Sequence, residues 1–242
     1  MDERFEVERG RDIRKLSADE SLQTAALALM REASAHRYSY NFNWLGLPII
    51  QHPDDIVAVQ EVLWRVRPRL VIETGVARGG SLMLSASLLE LIGGDGLVVG
   101  IDIDIRPDNR RAIEEHPLAH RIVLIEGSST ESDVIEQVQR HAESRSPVLV
   151  FLDSMHTHAH VLAELEAYSP LVVAGSYVVV FDTAIADFPP SAFSDRPWGP
   201  GDNPRTAVHA FLKSSDRFQI DHDLVGKLLL TVARDGFLRC IR

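Results

Sequence analysis

The residues best suited to chemistry lie in two short stretches, Phe151-Leu152-Asp153-Ser154-Met155-His156 and Val180-Phe181-Asp182-Thr183. Each acid closes an apolar run that reads as a buried strand. In open α/β sheets ligands gather outside the carboxyl ends of the strands. Two carboxylates on neighbouring strands suit a hard cation such as Mg2+, which keeps several waters or takes substrate oxygens. A hydroxyl held at such a cation loses its proton more readily. His156, three residues past Asp153, is a candidate general base or substrate contact. The competing reading is that either acid caps the helix that follows it. His156, His158 and His160 alternate, but they fall in a strand-to-helix turn with no thiolate nearby, which argues against zinc. His160 reads as a packing or hydrogen-bonding residue. His36, His52, His116, His120, His141, His209 and His222 read as surface residues.

A second constellation is Leu70-Val71-Ile72-Glu73-Thr74-Gly75-Val76-Ala77-Arg78-Gly79-Gly80-Ser81. It predicts a buried strand, a glycine-bearing turn and a helix start. Gly75, Gly79 and Gly80 permit positive φ or close backbone approach to a ligand, and the helix presents N–H groups without intrahelical partners. The next predicted strand ends in Asp102, an acid placed to meet the two hydroxyls of a ribose. Ala77 breaks the dinucleotide GxGxxG fingerprint, and no GK[ST] follows as in a P-loop. Acid-x-Gly-x-x-x-Gly-Gly-Ser is closer to the S-adenosylmethionine loop of class I methyltransferases. A glycine-rich turn with no ligand is the alternative. Arg78 could orient a ligand carboxylate or simply face solvent.

These residues need a parallel sheet to position them. Strands are predicted over 69–73, 97–102, 121–126, 148–153 and 177–182. Helices are predicted over 81–91, 109–115, 132–143 and 158–168. The alternation and the continuous apolar runs argue for a sheet covered on both faces. Residues 205–213 predict a helix, and 218–220, 228–232 and 237–241 predict late strands, the last two joined by a hairpin turn at Arg234-Asp235-Gly236. The expected fold is α/β, a Rossmann-like class I methyltransferase fold with a mostly parallel seven-stranded sheet and an antiparallel C-terminal hairpin. Upstream, residues 21–36 show helical spacing, and a helix over 55–66 is expected, capped by Asp54 and buried through Ile56, Val59, Gln60 and Leu63. Residues 1–20 are expected to be mobile or draped over a neighbour. The aromatic stretch 37–53 is expected to be irregular. We divide the chain into an N-terminal helical and aromatic extension, 1–53, and a cofactor-binding domain, 54–242. The proline-rich segment 184–203, with Trp198, reads as a lid.

Net charge is −10 and hydrophobic residues make up 45% of the 242. That balance disfavours nucleic-acid or membrane-surface binding. No apolar run reaches the ~20 residues of a membrane helix. The single cysteine, Cys240, fits a reducing compartment. The expectation is a cytoplasmic protein acting on a small molecule.

From Asp153 onward the chain resembles the cephalosporin hydroxylase family, which includes bacterial rhamnosyl O-methyltransferases. The resemblance is carried by Leu152-Asp153-Ser154-Met155-His156-Thr157-His158, Gly175-Ser176-Tyr177, Val180-Phe181-Asp182-Thr183, Arg196-Pro197-Trp198-Gly199-Pro200-Gly201-Asp202-Asn203-Pro204 and Lys227-Leu228-Leu229. It implies an S-adenosylmethionine-dependent O-methyltransferase with a magnesium site, often a homo-oligomer, in natural-product or glycolipid tailoring. By position, Glu73, Gly75, Gly79 and Ser81 would line the cofactor, Asp102 its ribose and Ser128 its adenine, while Asp153 and Asp182 would hold the metal. Relatives can carry paired acids after the fifth predicted strand. Phe181 precedes Asp182 here, which implies one protein ligand fewer, with Asp187 as a candidate substitute. A hydroxylase is the second enzyme reading, but no two-His-one-carboxylate iron set is present. A non-catalytic, cofactor-binding partner is the third.

Overall fold

The computed structural model describes residues 2–242. Seven strands form one sheet: β3 (Leu70–Thr74), β4 (Leu97–Asp102), β5 (Ile122–Glu126), β6 (Val148–Leu152), β7 (Tyr177–Val180), β8 (Phe218–Ile220) and β9 (Phe237–Cys240). The order is β5-β4-β3-β6-β7-β9-β8, parallel except where β9 pairs antiparallel to both neighbours. Every residue of β3, β6 and β7 is buried. Alternate side chains feed two cores. Val71, Leu149, Phe151 and Val179 join α3 (Pro53–Val66) and α4 (Gly80–Ile92). Leu70, Ile72, Val150 and Val178 join α6 (Ser132–Ala142), α7 (His158–Tyr168) and α8 (Pro204–Ser214). Burial on both faces explains why these strands lack polar alternation. It also places Glu73, on the first face, against α4.

The order reverses between β3 and β6, so the loops after those strands share one crevice. There the chain approaches itself closely. A Cβ on Gly80 would stand 2.4 Å from the Pro48 carbonyl oxygen. Pro48 belongs to a small hairpin, β1 (Phe42–Trp44) and β2 (Leu47–Ile49), which replaces the expected irregular stretch. Trp44 Nε1 anchors the hairpin on Ser87 Oγ of α4 at 3.0 Å.

Three further expectations are corrected. Residues 2–20, expected to be mobile or draped over a neighbour, are helical: Glu3–Ala18 forms α1, capped by Asp2 and followed by α2 (Glu20–Ala35); Met1 lies outside the described residues. No α1 side chain is buried, so apolar periodicity gave no signal, and caps with i,i+3 and i,i+4 ion pairs carry the helix. In α3, Asp54 is not the cap; His52 is, with Pro53 at the first turn. The inner face is turned toward Asp55, Ala58, Val59, Val62 and Leu63, because the carboxylates of Asp54 and Asp55 serve another segment. Leu228–Val232 is not a strand. Leu230 N donates to Asp54 Oδ2 at 3.2 Å and Val232 N to Asp55 Oδ2 at 3.0 Å. Those N–H groups bond side chains rather than a ladder, and β8 takes the place beside β9. Arg234-Asp235-Gly236 therefore leads into β9 without closing a hairpin. Among the described residues no helix is long and apolar enough to cross a membrane.

Candidate active site

Asp153 follows β6, and Asp182 follows β7 by two residues in the left-handed region, φ 56°. That turn separates the two neighbours of the motif. Phe181 is buried, its ring 6.1 Å from Phe151, whereas Asp182 meets His156. His156 Nε2 lies 3.0 Å from Asp182 Oδ2. Among the described residues, one group could hold a metal ion: Asp153, His156 and Asp182 each offer a ligand atom, all within 4.8 Å of one another. Asp187 is not part of it. Arg205 Nη1 holds its Oδ1 at 2.9 Å and Arg234 stands 3.5 Å from its Oδ2, so the substitute ligand proposed from sequence is otherwise engaged.

The charges of the three groups are interdependent. Burial, then the neighbouring Asp182 and Glu73, push the Asp153 carboxyl well above the usual range. Burial acts the same way on Asp182, but the charge and hydrogen bond of His156 outweigh it and hold Asp182 low. Burial opposes the His156 imidazolium, yet Asp182 raises it overall. The shared charge thus favours the ionised forms of Asp182 and His156 and disfavours that of Asp153. Two oxygen donors and one nitrogen donor, in a partly buried pocket, fit a divalent cation.

The glycine turn borders this cluster. Gly75 has φ 92°, and a Cβ there would fall 2.1 Å from the Asp153 carbonyl oxygen. Pro48, Ile50, Gln51, Gly75, Arg78, Ser81 and Asp153 line the cleft over the turn. Gly79, which caps α4, provides no side-chain acceptor for the first N–H groups of that helix. Asp102 Oδ2 accepts from Val76 N at 2.9 Å and Ala77 N at 3.2 Å, which fixes the turn. Oδ1 accepts from Asp104 N at 3.2 Å and retains one lone-pair site. Ser128 follows β5 and pairs with Thr130 at 3.1 Å. Arg78 is exposed on the cleft wall.

Beneath the cleft, Gln51, Glu73, Ser81, Ser85, Asp153 and Phe181 enclose an inner cavity. Ser81 Oγ donates to Glu73 Oε1. Burial pushes the Glu73 carboxyl up to about 7 despite that bond. Gln51 Oε1 and Ser85 Oγ are buried without a hydrogen-bond partner. Buried polar atoms are normally satisfied, so such orphans mark a place for a ligand or water.

Two contributors were not legible as site residues. Gln51 Nε2 donates to Asp153 Oδ2 at 3.0 Å. His52, read as a surface residue, is 6% exposed, with its ring 5.7 Å from Tyr38. Burial lowers its pKa, and the carboxylates of Asp182 and Asp54 act in the opposite direction. Only the hairpin, which lays residues 48–52 across the glycine turn, brings both residues here. The other histidines of the motif are structural. His158 Nδ1 meets Thr206 Oγ1 at 2.9 Å. His160 Nε2 lies 3.1 Å from both Ser129 Oγ and Ser154 Oγ. Trp198 of the proline-rich segment stands edge-on to His156, ring centroids 4.9 Å apart and planes at 83°.

Comparison with known proteins identifies the family and the fold. The family model described as rhamnosyl O-methyltransferase/CmcI matches residues 36–241. The rhamnosyl O-methyltransferase of Mycobacterium tuberculosis H37Rv is 33% identical over 214 residues, 84% of this chain and 82% of the relative. That of Mycobacterium leprae is 31% identical over 217 residues, 84% and 87%. A structure of cmcI with Mg and SAM superposes with a TM-score of 0.58 at 24% identity, covering 84% of this chain and 78% of that one. The O-methyltransferase from Bacillus cereus in complex with SAH gives 0.55 at 16% identity, covering 93% and 92%. These structural likenesses establish the fold; the sequence matches establish descent. The chain belongs to the rhamnosyl O-methyltransferase/CmcI family of S-adenosylmethionine-dependent O-methyltransferases.

Proposed function

We propose that the protein transfers a methyl group from S-adenosylmethionine to a hydroxyl of a sugar-bearing natural product or glycolipid, assisted by Mg2+. The observation that carries this is the contact of the two loops. Asp153 lines the glycine-turn cleft and also belongs to the cluster with His156 and Asp182. A donor in the cleft and an acceptor hydroxyl at the cluster would therefore be neighbours.

In this reading Glu73, Gly75, Gly79 and Ser81 receive the donor, Asp102 its ribose and Ser128 its adenine. The bound donor supplies an electrophilic methyl group on sulfur. Asp153 and Asp182 would hold the cation, which would supply Lewis acidity toward the acceptor hydroxyl and offset the Asp182 charge that raises the His156 pKa. Neutral His156, donating from Nε2 to Asp182, has its Nδ1 lone pair left to take the acceptor proton. Gln51 fixes the Asp153 carboxylate through its hydrogen bond. Trp198 covers the His156 ring and excludes water from that side. Methyl transfer needs alignment more than strong acid or base, so positioning by these loops supplies much of the rate. Residues 54–242 act as the methyltransferase domain and 1–53 as its extension. A cytoplasmic homo-oligomer is the working form we expect.

Calorimetry with S-adenosylmethionine and S-adenosylhomocysteine, with and without Mg2+, tests this. Binding of both nucleosides is expected, with a separate magnesium signal lost in Asp153→Asn. Absence of nucleoside binding would overturn the methyltransferase reading, and a magnesium signal intact in Asp153→Asn would remove the cation from this site.

A further inference from the structure

A second cleft opens beside the site. Its walls include Gln23 and Thr24 of α2, Asp187, Arg205 at the start of α8, and Arg234 and Asp235 before β9. Its position is informative. Asp187 ends a 3-10 turn that starts at Thr183, directly after Asp182. At about 2 Å per residue the cleft begins roughly 10 Å from Asp182. Arg234 and Asp235 precede β9, which runs antiparallel to β7. They therefore lie at the end of the sheet where β7 delivers Asp182.

Its chemistry is specific as well. Arg205 commits both terminal nitrogens to Asp187, while its Nε is buried with no hydrogen-bond partner and stands 3.8 Å from Asp235. Arg234 Nη1 is 3.5 Å from Asp187, too long for a good hydrogen bond. Asp235 Oδ2 meets His209 at 3.0 Å, and Gln23 spends its amide nitrogen on Leu16 O. Arg234 is thus left as a donor, and the second oxygen of Asp235 and the Gln23 carbonyl as acceptors. Arg234 and Asp235 set opposite charges side by side in the lining, so an anion drawn to Arg234 is repelled by Asp235. Hydroxyl groups both donate and accept, and a pair on one ring matches this alternation. The bidentate Arg205–Asp187 pair fastens one part of this wall, whereas Arg234 to Asp187 at 3.5 Å and Arg205 Nε to Asp235 at 3.8 Å are too long to be hydrogen bonds. The α2 wall also precedes residue 36, where the family match begins.

We propose that this cleft is a subsite for the uncharged, polyhydroxylated part of the acceptor, a sugar ring beyond the one that is methylated. The inference rests on the reading of the acceptor as sugar-bearing. The test needs no turnover. Methyl α-rhamnoside is titrated into the full chain and followed by saturation-transfer NMR, with methyl glucuronide and inorganic phosphate as charged comparators. Arg234→Ala and Thr24→Trp are compared with Asp182→Asn. Thr24 is exposed on α2, so a Trp there fills the cleft and leaves the ion pairs intact even if Arg234→Ala fails to fold. We expect the rhamnoside to bind, to weaken by about tenfold or more in Thr24→Trp and in Arg234→Ala if folded, and to persist in Asp182→Asn. Binding unchanged in Thr24→Trp, binding lost in Asp182→Asn, phosphate or glucuronide preferred over the rhamnoside, or no rhamnoside binding would each overturn the subsite. A failure of nucleoside binding would instead fall on the methyltransferase reading.

Discussion

Gly75 and Asp153 touch through their backbones: a Cβ on the glycine would sit 2.1 Å from the carbonyl oxygen of the acid. The turn over the donor cleft and the loop that carries the cation residues are therefore one packed unit. Gly75→Ala combines a left-handed φ of 92° with that clash. It should cost roughly 2–5 kcal/mol, the sum of backbone strain and overpacking. Urea denaturation measures the loss. Calorimetry on protein that remains folded should show donor and cation binding both weakened. Weakening of donor affinity alone would mean the two loops move independently.

Cation binding should release protons. Without a cation, burial and the charges of Asp182 and Glu73 keep Asp153 protonated above the usual carboxylate range. A ligating carboxylate must be deprotonated, so on the order of one proton leaves per cation bound. The sign follows: affinity rises with pH until Asp153 ionises without help, then levels. Titrations at one pH in buffers of different ionisation enthalpy give the proton count. A pH-independent affinity with no proton released would remove Asp153 as a ligand.

Asp55 makes stability depend on pH in the direction opposite to an ordinary ion-paired acid. It is 1% exposed, and burial pushes its carboxyl up to about 7 despite bonds from Thr231 and Val232. The unfolded chain titrates near 4. Between those values the folded state binds more protons, so stability falls as pH rises, by up to about 4 kcal/mol from this one group. The penalty is absent below about pH 4 and complete above about pH 7. Denaturation at pH 5 and pH 8 should show a steeper decline in wild type than in Asp55→Asn. Equal slopes would place the ionisation elsewhere.

Much of this frame was readable before any coordinates. Residues 97–102 and 218–220 were placed to the residue, because each apolar run is bounded by turn or polar signals. That Asp153 and Asp182 fall close together follows from strand ends that can be read, each closed by an acid. What escaped depends on contacts distant in sequence. The carboxylates of Asp54 and Asp55 take the N–H groups of residues 230 and 232, and so a run with strand composition forms no strand. Gln51 and His52 enter the site because a two-strand hairpin folds across the glycine turn. No local pattern encodes that. The glycines were read as room for a ligand, yet Gly80 is required first by Pro48.

Glu164 makes a final case, since it is fully buried within a shared network of serines. Its Oε1 accepts from Ser129 Oγ at 2.6 Å and Ser154 Oγ at 2.7 Å, with His160 Nε2 at 3.3 Å. Ser129 adjoins Ser128 after β5, and Ser154 adjoins Asp153 after β6, so one carboxylate ties the two loops together. The arrangement is not a hydrolytic triad, because acid and hydroxyls all approach the same imidazole nitrogen. Glu164 is a positioning residue. Glu164→Ala leaves three polar groups short of a buried acceptor and should cost about 2–4 kcal/mol. Hydrogen exchange should then quicken together in residues 127–130 and 153–156 while β3 stays protected. If exchange rises uniformly across the chain, Glu164 serves only global stability. If it rises in one loop alone, the tie between the two loops is not carried by this carboxylate.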